Sequence, residues 1–142
     1  MPKVMVDTCV LIDALAPGRP SHEDARELFS RALASGEKNL LALASSLKDA
    51  YYILCRHYRD EPTARKAIAA MANALELIAC DADLVKASLR SNEPDFEDGL
   101  VRAAAERVSA DGVVTRDERG FVGSSCQKLT IRQATELFSE GS

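Results

Sequence analysis

The chain has 142 residues, 46% of them apolar and 28% charged, with a formal net charge of −4. This is enough for one domain (residues 1–142) with a proper core and the composition of a globular protein. It excludes a membrane span, which needs about 20 successive apolar residues, and its acidic balance argues against a module that coats nucleic acid through phosphates.

The first residues lack a basic start, an apolar middle and a small-residue cleavage site, so the expected compartment is the cytoplasm, with no membrane partner. Cys9, Cys55, Cys80 and Cys126 lie far apart, without zinc-ribbon or redox spacing, and are expected as reduced thiols packed as small apolar groups.

Val4-Met5-Val6 is a short apolar run that stops at Asp7 and Thr8, and Val10-Leu11-Ile12 follows at once. The pattern reads as a buried strand, a carboxylate at its carboxyl end and a turn into a helix. Asp7 there suits both ligand chemistry at a strand end and a helix N-cap. The breaker Pro17-Gly18-Arg19-Pro20 precedes a helix that starts at Ser21, with a capping-box-like spacing to Asp24, an apolar face of Ala25, Leu28, Phe29 and Leu33, and Gly36 at its end. Residues 40–44 form a second strand. Ser45-Ser46 caps a helix carrying Leu47, Ala50, Tyr51, Ile53 and Leu54, closed by Arg56-His57-Tyr58-Arg59. Tyr51 and Tyr52 are expected in the core, and His22 and His57 at the surface.

Asp60-Glu61-Pro62-Thr63 opens the next helix, which runs to about Leu75. A third strand covers residues 77–80, and Asp81 caps a helix over residues 82–89. After the loop Ser91-Asn92-Glu93-Pro94, Asp95-Phe96-Glu97-Asp98 opens a helix whose Leu100, Val101, Ala104, Ala105 and Val108 face inward. Gly112-Val113-Val114-Thr115 is a fourth strand, followed closely by Asp117. Arg119-Gly120-Phe121 turns, residues 128–131 form a last short strand, and residues 132–138 a helix. Strands alternating with helices predict a three-layer α/β/α fold around a mostly parallel sheet of four to five strands.

Four carboxylates fall at element ends. Asp7 follows the first strand and Asp117 the fourth, while Asp49 and Asp98 lie early in helices. In a parallel sheet these ends share one rim, so all four can meet in one cleft. Converging carboxylates repel one another, and divalent metal is the commonest reason a chain tolerates that. Hard Mg²⁺ or Mn²⁺ suits an all-oxygen set, and paired ions can activate water and stabilise the leaving oxygen of a phosphodiester. Read singly, Asp95 and Asp98 also suit a helix first turn, Asp117 a turn, and Asp49 a solvated helix position.

The blocks VDTCVLID, SSLKDAYYIL, DFEDGLVRAAAER and VVTRDERGF, in that order and spacing, resemble a PIN domain of the PilT N-terminus group, which includes the VapC-type toxins. The resemblance implies a metal-dependent ribonuclease. It implies Asp7, Asp98 and Asp117 as ligands of Mg²⁺ or Mn²⁺, with Asp49 completing the shell or holding the attacking water. Thr8 and Thr115 match supporting positions, and Cys9 stands where the family often has Asn. Lys48, Arg56, Arg59 and Arg116 are candidates for RNA phosphate contacts. The resemblance further implies a homodimer and an antitoxin partner, contacted around residues 28–33 and 51–54.

A haloacid-dehalogenase-type enzyme needs a second Asp two residues after the first, where Cys9 stands, and a receiver domain needs an acidic pair near the first strand that is absent. The alternatives left are a catalytically silent PIN-fold binding module and a DNA-directed nuclease.

Overall fold

The computed structural model describes residues 2–139, so Met1 and residues 140–142 of the expected domain lie outside the described residues. In chain order the elements are β1 (Val4–Val6), α1 (Thr8–Leu15), α2 (His22–Ala34), β2 (Leu40–Leu43), α3 (Ala44–Tyr58) and α4 (Glu61–Ala74). They continue with β3 (Glu76–Ile78), α5 (Ala82–Arg90), α6 (Phe96–Arg107), β4 (Gly112–Val114), β5 (Gln127–Leu129) and α7 (Ile131–Ser139).

The five strands form one sheet in the order β3-β2-β1-β4-β5, and every pairing is parallel. Alternation along each strand divides the core. Val4, Val6, Leu40, Ala42, Val114 and Leu129 face Leu28, Ala32 and Phe138 of α2 and α7. Met5, Leu41, Leu43 and Val113 face Leu84, Val101 and Ala104 of α5 and α6. A third cluster of Ile12, Ala16, Ala50, Leu54 and Ala64 joins α1 to α3 and α4. These are the expected three layers, with five strands, the upper of the four to five anticipated.

The topology positions the site. From β1 the chain winds outward through β2 to β3, then returns to β4 on the other side of β1. The strand order therefore reverses between β1 and β4. In open parallel sheets the crevice at the carboxyl ends beside such a reversal is where ligands bind. Asp7 immediately follows β1, and Asp117 lies just past β4.

Local details depart from the sequence pattern for identifiable reasons. Ser21 makes no side-chain capping bond; its backbone (φ −96°, ψ 11°) is not in the extended region that aims a cap inward, so the capping box does not form. Leu33 is 52% exposed, and Ala32, seven residues after Ala25, takes the inward position. The helix after β2 starts at Ala44, and Ser46 is buried inside it rather than capping it. Val108 is also exposed, beyond the last turn of α6. No helix among the described residues is long and apolar enough to cross a membrane. The four cysteines are free thiols, as expected.

α5 and α6 approach closely at Gly99. A Cβ there would lie 2.1 Å from Ser88 Oγ, whose hydroxyl donates to the Phe96 carbonyl at 2.7 Å. Gly→Ala in a helix ordinarily gains up to about 1 kcal/mol. Here the overlap should win, and Gly99→Ala is expected to lose about 1–3 kcal/mol. Urea unfolding would show it as a lower midpoint at unchanged slope; an unchanged midpoint would mean that the two helices have slack.

Candidate active site

Asp7 is the N-cap of α1, with extended backbone (φ −68°, ψ 153°) and 5% exposure. Its Oδ1 accepts the Thr8 N–H at 2.8 Å. Its Oδ2 accepts the Thr115 hydroxyl at 2.6 Å and, more weakly, the Cys9 thiol at 3.7 Å. The Thr115 hydroxyl in turn accepts the Asp117 N–H at 3.0 Å, so one hydroxyl ties the ends of β1 and β4 together. The Thr8 hydroxyl donates to Ser46 Oγ at 2.8 Å, fastening the start of α1 to α3.

Asp98 enters from α6. Asp95 caps that helix, accepting the N–H groups of Glu97 at 2.7 Å and Asp98 at 3.3 Å, which fixes the first turn. The Asp98 and Asp117 carboxyls lie close enough to shift each other's titration.

Asp117 rides on a loop held from several sides. Its Oδ1 accepts the Arg119 N–H at 2.9 Å. Lys128 Nζ donates to the carbonyls of Asp117 and Glu118 at 3.0 Å and of Gly120 at 3.1 Å. Glu93, its side chain 2% exposed, accepts the Phe121 N–H at 2.9 Å and Arg102 Nη1 at 2.7 Å. Phe121 has φ +68°, an uncommon conformation for a bulky residue that needs such support. At Gly120 a Cβ would stand 2.8 Å from Asp117 Oδ2, so only hydrogen fits beside the carboxylate.

The electrostatics follow from this crowding. Burial pushes the Asp7 carboxyl above its ordinary range, against the hydrogen bonds from Thr115, Thr8 and Cys9. Asp98 is pushed up to about 8, first by burial, then by its bond to Asp117 and the charges of Asp7 and Asp117. Asp117 moves the other way because it accepts the bond from Asp98. The two carboxyls thus titrate as a pair, Asp98 pushed up and Asp117 down. Glu97 is raised by burial and by the charges of Asp49, Asp95 and Asp7.

Asp7, Thr8, Cys9, Asp98 and Asp117 line one cleft of about 380 Å³, with Asp95, Glu97, Arg19 and Arg116 around them. Asp49 is exposed and lines a neighbouring cleft with Lys48, Tyr51 and Tyr52. Glu97 borders both clefts. The structure therefore brings three of the four sequence-predicted acids to one cleft and puts Asp49 in the neighbouring one, which shares Thr8, Ile12 and Glu97 with it.

Among the described residues, no three acidic, histidine or cysteine side chains converge on one point in the manner of a complete cation cage. The donor set nonetheless matches a hard cation that keeps several of its waters. It is carboxylate and hydroxyl oxygen, and no histidine lines the cleft. Cys9 is pushed up by burial and then by Asp7, which favours its thiol form.

The basic candidates are dispersed. Lys48 is exposed beside Asp49, and Arg56 lies 5.8 Å over the ring of Tyr52. Arg59 ends α3 in the left-handed conformation, and Arg116 lines the acidic cleft. Tyr52 is 61% exposed, contrary to the core expectation, because the buried face of α3 is Ser46, Leu47, Ala50 and Leu54. Tyr51 is half-buried and donates to Glu61. His57 is exposed, whereas His22 is half-buried with Nδ1 2.8 Å from the Asp13 carbonyl.

The sequence reading missed Glu93, Lys128, Arg19 and Asp13. Only Asp13 leaves a sequence signal: it interrupts the apolar run VLIDALA three residues after Val10, on the same helical face.

A family model described as PIN domain matches residues 3–119. The chain belongs to the PIN domain family. Solved structures share its fold. The toxin–antitoxin complex from Klebsiella pneumoniae matches with a TM-score of 0.64 at 20% identity, over 91% of this chain and 98% of that one. VapC20 of Mycobacterium tuberculosis, described as a Sarcin-Ricin loop cleaving toxin, gives 0.62 at 19% identity, over 78% and 87%. A protein from Pyrobaculum aerophilum gives 0.70 at 12% identity, over 98% and 96%. A comparison with curated proteins finds no match. In this PIN domain, β5 and α7 lie beyond the family match but within the last structural likeness.

Proposed function

We propose that this PIN domain is a metal-dependent endoribonuclease that hydrolyses RNA phosphodiester bonds, and that it is the toxin of a type II toxin–antitoxin pair. The observation that carries the nuclease reading is that Asp7, Asp98 and Asp117 line one cleft at the reversal between β1 and β4. The toxin reading draws on the likeness to a toxin–antitoxin complex and to a loop-cleaving toxin.

Asp7, Asp98 and Asp117 would hold Mg²⁺ or Mn²⁺. Bound there, the ion would lower the pKa of a water and act as a Lewis acid toward the phosphoryl oxygens. The protein's part is to place the oxygens. Thr115 spaces Asp7 from Asp117, and Thr8 anchors the start of α1. Any proton held by the Asp98–Asp117 pair must leave before all three carboxylates serve as ligands. Asp49, in the neighbouring cleft, would orient the attacking water or complete the ligand set. Lys48, Arg56, Arg59 and Arg116 would meet phosphates along the strand. The apolar groove lined by Leu15, Phe29, Leu33 and Met71 would receive an antitoxin segment, and the protein would act as a homodimer.

The test is purified protein with a structured RNA, an unstructured RNA and single-stranded DNA, each in Mn²⁺, Mg²⁺ and EDTA. RNA cutting in metal and none in EDTA is expected, with metal raising the melting temperature by linkage to the folded state. No cutting in any metal would leave a binding module, and preferential DNA cutting would leave a DNA-directed nuclease. No thermal shift at millimolar metal would overturn the ligand assignment.

A further inference from the structure

Asp13 is an aspartate that the catalytic scheme does not use, and it is 1% exposed. Burying a carboxylate is costly unless it is well paired. Two arginines pair it from different parts of the chain. Arg19 Nε donates to Oδ1 at 2.9 Å; Arg116 donates Nε to Oδ2 at 2.5 Å and Nη2 to Oδ1 at 3.3 Å.

One guanidinium would satisfy one carboxylate. The second makes the cluster positive, with two cations on one anion. Both arginines are partly exposed and both line the acidic cleft. Among the described residues, the Nη groups of Arg19 and Nη1 of Arg116 carry no further hydrogen bond. Their backbones are pinned as well: the Arg19 carbonyl accepts the His22 N–H at 3.0 Å, while Arg116 sits between Thr115 and Asp117 of the site. A chain of net charge −4 with a carboxylate-lined cleft repels a polyanion. These two guanidiniums are the cations lining that cleft, and guanidinium nitrogens match phosphate geometry.

We propose that Asp13 is a buried positioning residue that holds Arg19 and Arg116 as a two-pronged clamp for a backbone phosphate of the nucleic-acid strand at the acidic cleft. The proposal rests on the nuclease reading above; it adds Arg19 as a ligand-contacting residue, couples it to Arg116 on one phosphate, and gives Asp13 a role. Asp13 touches no substrate; it sets the direction in which both guanidiniums point.

The experiment measures binding of a fluorescein-labelled 12-nucleotide RNA, and of the DNA of the same sequence, by anisotropy in EDTA at several NaCl concentrations. Cleavage of the same RNA in Mg²⁺ gives kcat and KM. Arg19→Gln and Arg116→Gln should each weaken binding and reduce the slope of log affinity against log salt by about 0.7, and the double variant by about twice that. Lys38→Gln removes the same charge just before β2, at the amino edge of the sheet, and should leave the slope unchanged. Asp13→Asn keeps both cations, so the slope should hold while kcat falls at least tenfold. If Asp13→Asn does not fold, Arg116→Lys replaces it. Its single ammonium is taken by Asp13, so its slope should fall as in the Gln variant.

Arginine variants with wild-type slope and affinity, in a wild type that binds and cuts, would overturn the clamp alone, as would a folded Asp13→Asn with wild-type kcat. A wild type that neither binds nor cuts either strand would overturn the nuclease reading and the clamp with it. DNA bound as tightly as RNA, with the same loss of slope, would support a clamp that reads phosphate rather than sugar.

Discussion

Asp98→Asn is expected to abolish cleavage and, at the same time, to make the protein more stable in EDTA at pH 8. Both effects come from one carboxyl. Asp98 has an ordinary value of 3.8 and is pushed up to about 8 by burial, by its bond to Asp117 and by the charges of Asp7 and Asp117. Between those values the folded chain keeps a proton that the unfolded chain releases, so stability falls as pH rises from about 4 to about 8. Asp7, also raised, contributes with the same sign. Asp117, lowered, contributes oppositely: its stabilisation is lost on acidification.

Asn cannot ionise, yet its amide still donates to Asp117. The variant should therefore melt above wild type at pH 8, with the gap closing toward pH 4. Cleavage should fall by more than about a hundredfold, since changing even the outer partners of a metal ligand costs about 10–100-fold. Melting curves across pH in EDTA and single-turnover RNA cleavage in Mn²⁺ measure the two halves separately. Retained cleavage would remove Asp98 from the site. A pH profile parallel to wild type would show that the Asp98–Asp117 pair is not under strain.

The layers and the acidic rim were legible because each leaves a local signature. Val4-Met5-Val6 ending at Asp7 and Gly112-Val113-Val114 followed by Asp117 are apolar runs stopped by an acid. Once a parallel sheet is inferred, both acids must share an edge. The acidic start of α6 placed Asp98 in the same way. Asp49 was harder. Helical position gave its edge of the sheet, but not that its side chain lines a neighbouring cleft rather than the one shared by the other three acids.

Side-chain bonds between distant segments left little local trace. Nothing near Glu93 signals that it accepts the Phe121 N–H, 28 positions away. Nothing near Lys128 signals that its ammonium gathers three carbonyls of the loop after β4. Ser46 looked like a cap because serine caps well, yet tertiary packing turned it inward toward Thr8. Tyr52 looked like core because tyrosines near a helix's apolar side usually are; the buried stripe of α3 passes it by. Local chemistry thus indicates which groups reach the rim, and long-range contacts fix how they are held there.

Glu93→Ala tests that second layer and should have the largest effect on folding. The Glu93 side chain is 2% exposed, and its partner Arg102 is 19% exposed. Removing one member of a buried ion pair typically costs about 3–5 kcal/mol, and here Arg102 keeps a second, weaker partner in Glu106, 3.6 Å from its Nε. The partial exposure of Arg102 lets water recover part of that, so about 3 kcal/mol is expected. Arg102 also holds the Val122 carbonyl at 2.8 Å, and Phe121, with φ +68°, loses the acceptor of its N–H. The damage therefore falls on the loop that presents Asp117, and cleavage should drop at temperatures where the protein is still folded. Glu93→Gln separates the causes. Its carbonyl oxygen still accepts the Phe121 N–H while the charge opposite Arg102 is gone, so it should lose less stability and retain more activity than Glu93→Ala. Urea unfolding of both variants, with cleavage rates in Mn²⁺ well below their midpoints, gives the comparison. A Glu93→Ala protein within about 0.5 kcal/mol of wild type, the usual range for surface changes, would show that the loop's other contacts, Lys128 among them, hold it without Glu93.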